Sequence, residues 1–260
     1  MCRHLAYLGE PRSPAETLFH APHSLLVQSY APDDMRGGGS VNADGYGLGW
    51  YAEGPEPLRL RRSAPLWTDG DLPALAGSVR SHAFMAAVRN GTTGMPVVEA
   101  ANAPFTGGGY LFSHNGLVRG WPDSVAELAA KLPITRLLTL EATTDSVLLW
   151  ALLRERLEAG EDPLAAVTWL TEVVEEAGPG SRLNLLLTDG RTLIGTAWTH
   201  SLCYLDTGDG VLVASEPCDD DPGWIPVPDH HAVRVTGAGV DIIALQENAA
   251  LEADRSPEAR

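Results

Sequence analysis

The sequence predicts a layered α+β domain carrying two β-sheets. Strand-like segments and glycine-rich loops dominate the first half, two consecutive helical segments fill the middle, and hairpin-spaced strands follow. A doubly wound sheet would instead alternate strand with helix. The string Asp44-Gly45-Tyr46-Gly47-Leu48-Gly49-Trp50 does not revive that option. It lacks the G-x-G-x-x-G spacing and precedes a strand rather than opening a helix, so a dinucleotide site is not supported. Its glycines fit close approach of backbone to a ligand or to a facing sheet.

The elements follow in order. Cys2 to Leu8 reads as a strand, and Ser13-Pro14-Ala15-Glu16 has the form of a capping box opening a short helix to about Phe19. Tyr46 to Ala52 and Leu58 to Arg61 are expected strands around a Gly54-Pro55 turn. Asp71 is the expected cap of a helix reaching Val79, followed by strands at His82 to Arg89 and Tyr110 to His114. Asp123 is expected to cap a helix to about Leu132. Thr143 or Thr144 opens a longer helix, stopped by Gly160, whose nearly unbroken apolar run calls for cover on more than one side. Asp162-Pro163 opens the next helix, ending at Gly178 and packing antiparallel to the last. Arg182 to Leu187 and Thr192 to Trp198 form a hairpin across Asp189-Gly190. Ser201 to Leu205, Val211 to Ser215, Ala232 to Val235 and Val240 to Leu245 complete a meander. The polar tail 246–260 is expected to be disordered, leaving 1–245 as the folded domain.

Composition narrows the function. The chain has 260 residues, 44% of them hydrophobic, and a formal net charge of −16. Its single lysine is Lys131, and so acidic a surface argues against nucleic acid or an anionic membrane as partner. No apolar run approaches the roughly 18 residues of a membrane span, and no basic-then-apolar leader opens the chain. Three cysteines at irregular spacing, Cys2, Cys203 and Cys218, fit a reduced cytoplasm. No Cys/His cluster has zinc-ligand spacing, so neither metal nor other cofactor is expected.

Four places carry chemistry. Cys2 directly follows Met1, and removal of that methionine would leave one residue with both a thiol and a free α-amine. Their unperturbed pKa values, about 8.5 and about 8, make proton transfer between them nearly balanced. Ser113-His114-Asn115-Gly116 follows an apolar strand. Local sequence favours a hairpin turn at Asn115-Gly116, while an asparagine amide beside a backbone N–H can also form an oxyanion hole. Arg89 ends its strand, either meeting water or gripping a carboxylate bidentately. Asp145 opens the long helix, where a carboxylate serves the helix dipole or holds an ammonium.

The order Cys2, Arg89 with Thr92, Asn115-Gly116, Asp145 resembles the glutaminase domain of class II glutamine amidotransferases, which are N-terminal-nucleophile hydrolases. The resemblance spans roughly Cys2 to Leu245. Ser24-Leu25-Leu26-Val27-Gln28-Ser29, Asp34-Met35-Arg36-Gly37-Gly38-Gly39, Asn42-Ala43-Asp44-Gly45, Gly94-Met95-Pro96-Val97-Val98-Glu99 and Ser113 to Trp121 resemble the ergothioneine-pathway branch of that family. The resemblance implies a four-layer αββα sandwich and hydrolysis of a γ-glutamyl amide through a Cys2 thioester. It further implies an oxyanion hole from Asn115 and Gly116, and glutamyl binding by Arg89, Thr92 and Asp145. Arg3 stands where many members have glycine, and Thr93 and Ala103 stand where many have histidine. A length of 260 residues leaves no room for an acceptor domain. The expected partner is a small γ-glutamyl substrate; in that branch it carries a trimethylammonium group, for which Trp50, Trp67, Tyr110 and Trp121 are aromatic candidates. Two alternatives stay open: a glutaminase subunit that donates ammonia elsewhere, and a non-enzymatic thiol or binding protein if Met1 is retained.

Overall fold

Alternation of side chains along the strands sorts this chain into layers. The computed structural model describes residues 2–35 and 41–245; Met1, residues 36–40 and the tail 246–260 lie outside the described residues. Its strands are β1 (Arg3–Arg12), β2 (Gly45–Trp50), β3 (Leu58–Arg62), β4 (Ser81–Arg89), β5 (Phe105–Gly107), β6 (Tyr110–Leu117), β7 (Arg182–Thr188), β8 (Leu193–Ala197), β9 (Cys203–Asp206), β10 (Gly210–Ala214), β11 (Ile225–Pro226), β12 (His231–Thr236) and β13 (Gly239–Ala244). One antiparallel sheet has the order β11-β9-β10-β1-β4-β2-β3, and the other β13-β12-β8-β7-β6-β5. The helices are α1 (Leu25–Gln28), α2 (Leu72–Ser78), α3 (Ala126–Ala129), α4 (Ile134–Leu138), α5 (Asp145–Glu158) and α6 (Pro163–Ala177).

Along β1, Leu5 and Tyr7 point outward to meet Leu18, Leu25, Leu72 and Ala76, while Ala6 points inward. Along β7, Leu185 and Leu187 face α5 and α6, while Leu186 faces the other sheet. The period-2 pattern therefore gives each sheet one helix-covered face and one sheet-covered face. That is the αββα sandwich. The space between sheets is narrow because the first sheet lines it with small residues. A methyl group on Gly49 would lie 2.5 Å from Leu111 Cδ2, and one on Gly47 would lie 2.2 Å from the Ala103 carbonyl oxygen. The alternating glycines of β2 thus serve sheet packing.

The capping signals of the two long helices operate as expected. Thr144 Oγ1 accepts from Val147 N–H at 3.3 Å, and Asp162 Oδ1 accepts from Ala165 N–H at 3.0 Å. Residues 147–153 of α5 are all buried, and the Trp150 ring stacks on Phe112 of β6 with centroids 5.5 Å apart. Other local expectations give way. Ser13 donates to the Ala76 carbonyl at 2.8 Å, and Glu16 pairs with Arg12 at 2.5 Å, so the capping box is replaced by a π-helical turn at Glu16–His20. Asp69, not Asp71, caps α2, its Oδ1 accepting from the N–H groups of both Asp71 and Leu72 at 2.9 Å. The helix expected from Asp123 breaks into a 3₁₀ turn and α3, with α4 separate after Pro133.

The largest revision concerns Asn115-Gly116. These residues form no turn; β6 runs through them, pairing Asn115 with Asn184 and Gly116 with Leu183. A Cβ on Gly116 would lie 1.8 Å from the Arg182 carbonyl oxygen. Glycine is therefore required here by the tightness of strand pairing rather than by a turn.

Candidate functional site

β1 lies between β4 and β10, so the residue that precedes it is flanked by the ends of both neighbours. Cys2 is half-buried there, and its Sγ–H points to the Asn90 carbonyl oxygen at 3.7 Å, just beyond β4. The other two thiols are shut away. Burial pushes Cys218 up to about 12 and raises Cys203 as well, so both stay protonated and inert.

Arg89 lines the same small cavity as Cys2. Its Nη1 donates to the Pro96 carbonyl at 2.9 Å, while Nη2 is buried with no partner among the described residues. An unpaired guanidinium N–H costs free energy unless something accepts from it, and a ligand carboxylate suits that edge. Gly91 folds over the guanidinium, and Asp44 pins the corner by accepting from Gly91 N–H at 2.7 Å. Thr92 is not brought against Cys2. It is exposed on the following loop, where its carbonyl accepts from Met95 N–H at 2.9 Å.

Asn115 is fully buried on the inner face of β6. Its Nδ2 donates one hydrogen to Ser215 Oγ at 2.9 Å, leaving the second for another acceptor. Ser215 Oγ also accepts from His4 N–H at 3.0 Å, so this hydroxyl ties the asparagine to the start of β1. Gly116 follows in the same strand. Asp145 is buried at the start of α5, where Oδ2 accepts from Val118 N–H at 3.0 Å and Oδ1 from Ser146 N–H at 2.7 Å. Oδ1 also accepts from Ser146 Oγ at 3.3 Å, while Oδ2 keeps a lone pair, so the carboxylate both holds the end of β6 and remains able to accept from an ammonium.

Several residues of this site carry no local sequence signal. His114 and Ser146 line the cavity with Cys2. His114 Nε2 donates to the Arg182 carbonyl at 2.9 Å, and its Nδ1 lies 3.0 Å from Ser146 Oγ. Arg182 starts β7 opposite Leu117, and its Nε is buried without a partner among the described residues. Burial and neighbouring Arg119 depress its pKa, while Cys2 opposes them. Arg3 donates to the Cys2 carbonyl at 2.9 Å and pairs with Glu216 at 3.2 Å. Among the aromatic candidates, Trp50 and Trp121 pack against the two helix-covered cores, and Trp67 meets Tyr30 at the surface. Tyr110 also packs against a core. None of the four lines the Cys2 cavity.

His4 is fully buried beneath Cys2, its Nδ1 3.0 Å from Ser113 Oγ. Burial first, then the electrostatic influence of nearby His114, His200 and Arg3, holds its pKa well below the usual histidine range. The unfolded chain therefore binds a proton near pH 6.5 that the folded protein refuses. This histidine's contribution is present above about pH 6.5 and is lost as pH falls below it. Thermal unfolding at about pH 8 and about pH 5.5 should show a smaller acid-side loss for His4→Asn than for wild type. Equal losses would count against the assignment.

Residues 19–208 match the class II glutamine amidotransferases. The chain belongs to that family. It is 44% identical over 246 residues to the γ-glutamyl-hercynylcysteine sulfoxide hydrolase of Mycolicibacterium smegmatis, covering 94% of this chain and 100% of that protein. The protein of the same name from Mycobacterium tuberculosis is 41% identical, over 94% of this chain and 97% of its own length. Among solved structures, a class II glutamine aminotransferase domain protein from Silicibacter pomeroyi aligns with a TM-score of 0.68 at 24% identity, covering 94% of this chain and all of that one. Glutamine phosphoribosylpyrophosphate amidotransferase from B. subtilis aligns with a TM-score of 0.62 at 13% identity, over 95% of this chain and 50% of that chain. At these identities the two structures establish the shared fold of the class II amidotransferases. Among the described residues, no helix is long and apolar enough to cross a membrane.

Proposed function

We propose that the chain is an N-terminal-cysteine amidohydrolase that cleaves the γ-glutamyl amide of γ-glutamyl-hercynylcysteine S-oxide, releasing glutamate and hercynylcysteine S-oxide in ergothioneine biosynthesis. The observation that carries this is 44% identity across the whole length of a hydrolase of that name. Residues 1–245 form one amidotransferase domain in this reading, acting in the cytoplasm on a small molecule.

In the proposed mechanism Met1 is removed and the Cys2 α-amine, through a water, takes the thiol proton. Sγ attacks the γ-carbonyl, forming a C–S bond. The tetrahedral oxyanion accepts from the free hydrogen of Asn115 Nδ2 and from Gly116 N–H. Collapse breaks the C–N bond, with the α-ammonium protonating the leaving amine. Water then attacks the thioester, releases glutamate and restores the thiol. Arg89 holds the glutamyl α-carboxylate through its unpartnered Nη2, and Asp145 accepts from the α-ammonium. Thr92, exposed on the loop beyond Arg89, contributes a hydroxyl only if that loop closes over the glutamyl group.

Glutamate release from γ-glutamyl-hercynylcysteine S-oxide, measured beside release from glutamine, tests the substrate. The sulfoxide should be the better substrate by kcat/KM; preference for glutamine would overturn the reading. Arg89→Lys keeps the charge but loses the planar fork, so its kcat/KM should fall roughly 10²-fold. Activity near wild type would remove Arg89 from the site.

A further inference from the structure

The Cys2 neighbourhood has two sides, and the glutamyl group accounts for one. Arg89 and the Asn90 carbonyl lie at the end of β4, toward which the Cys2 thiol leans. On the opposite side of β1, the segment after β10 carries Ser215 and Glu216. A cavity of about 570 Å³ opens there, with Asp33, Asp34, Leu202, Ser215, Glu216 and Trp224 in its walls. Two bridges join it to the reacting centre. Ser215 Oγ holds Asn115 Nδ2 at 2.9 Å, and the Arg3 guanidinium contacts the carbonyl oxygens of both Cys2 and Asp34. With Arg89 on the β4 side of Cys2, the β10 side, where this cavity lies, is left for the group on the amide nitrogen.

The walls select by charge and shape. Asp33 and Glu216 line the cavity, and among the described residues the Arg3 guanidinium is committed to Glu216 at 3.2 Å. Glu216 is almost wholly buried and also meets His23 Nε2 at 3.1 Å, while the Asp33 carboxylate is largely exposed. The local field therefore favours a cation. Trp224 supplies an aromatic wall, its Nε1–H anchored to Asp219 Oδ1 at 2.8 Å, which fixes the ring orientation. A half-buried indole among carboxylates is the surface that quaternary ammonium groups recognise. The volume falls within the range of small-molecule sites.

We infer that this cavity is the leaving-group subsite, and that Trp224 and the surrounding carboxylates bind the trimethylammonium end of the amine released from the γ-glutamyl substrate. The inference rests on the function proposed above and adds the residues that choose the leaving group. Arg3 then acts as a positioning residue, tying the cavity wall at Asp34 to the Cys2 backbone.

Calorimetry in a Cys2→Ala background, which blocks turnover, tests it. The ligands are γ-glutamyl-hercynylcysteine S-oxide and γ-glutamyl-S-methylcysteine S-oxide, a stable sulfoxide in which methyl replaces the hercynyl group and with it the trimethylammonium. Trp224→Ala should reduce the affinity ratio of the first ligand over the second by about tenfold or more, and Trp224→Phe should retain most of it. Asp33→Asn should lower the same ratio by a smaller factor that disappears in high salt. An unchanged ratio in both Trp224→Ala and Asp33→Asn, with Trp224→Phe folded and binding normally, overturns the subsite. Glutamate release by the wild type is scored separately. If it favours glutamine, the proposed substrate falls, while the binding ratio still decides whether the cavity takes a quaternary ammonium.

Discussion

Cys2→Ala should bind the γ-glutamyl substrate and release no glutamate above the uncatalysed rate, a loss of roughly 10⁴-fold or more in kcat. The change removes the only half-buried thiol of the three, and the other two are buried and protonated, so no second cysteine can stand in. It leaves the backbone intact. Among the described residues its hydrogen bonding is limited to the weak contact with the Asn90 carbonyl at 3.7 Å, so stability should stay within about 0.5 kcal/mol of wild type. A folded variant that binds but does not turn over separates loss of the nucleophile from loss of structure. Turnover at the wild-type rate would refute the mechanism.

Asn115→Ala should lower kcat by about 10²–10³-fold with little change in KM, because the lost donor acts on charge that develops only after attack. A structural cost accompanies this. Asn115 is fully buried, and removing Nδ2 deprives Ser215 Oγ of one donor. His4 N–H still donates to that hydroxyl at 3.0 Å, so the stability cost should be only about 1–3 kcal/mol. Steady-state kinetics beside thermal unfolding distinguishes the two effects. A rise in KM with unchanged kcat would place Asn115 in substrate binding rather than at the oxyanion.

Features set by neighbouring residues were legible in the sequence. Thr144 and Asp162 cap their helices because a cap needs only the next turn, and the Asp189-Gly190 hairpin forms across a turn that Asp189 stabilises by accepting from Thr192 N–H at 2.7 Å. Features set by sheet order were hidden. Asn-Gly favours a turn locally, yet pairing with β7 carries β6 straight through it. Nothing near Asn115 points to Ser215, which reaches it because the sheet carrying β10 stacks on the sheet carrying β6. The same holds for Arg3 and Glu216, and for His114 and Ser146, brought together by packing of α5 on the second sheet. Six candidate residues were readable as an ordered series; the hydroxyls, the buried histidine and the guanidiniums around them depend on the assembled sandwich. The local Asp71 cap also yielded to Asp69, whose carboxylate sits where two free N–H groups of α2 converge.

Everything in the mechanism depends on a free amine at Cys2. Intact-mass measurement of the wild-type protein, alone and rapidly quenched in acid during turnover, tests this most directly. The mechanism predicts a chain lighter than the full sequence by one methionine residue, and a transient species heavier than that chain by one glutamyl group, absent in Cys2→Ala. An active protein that retains Met1, or glutamate release without that transient species while Cys2→Ala remains equally active, would contradict it.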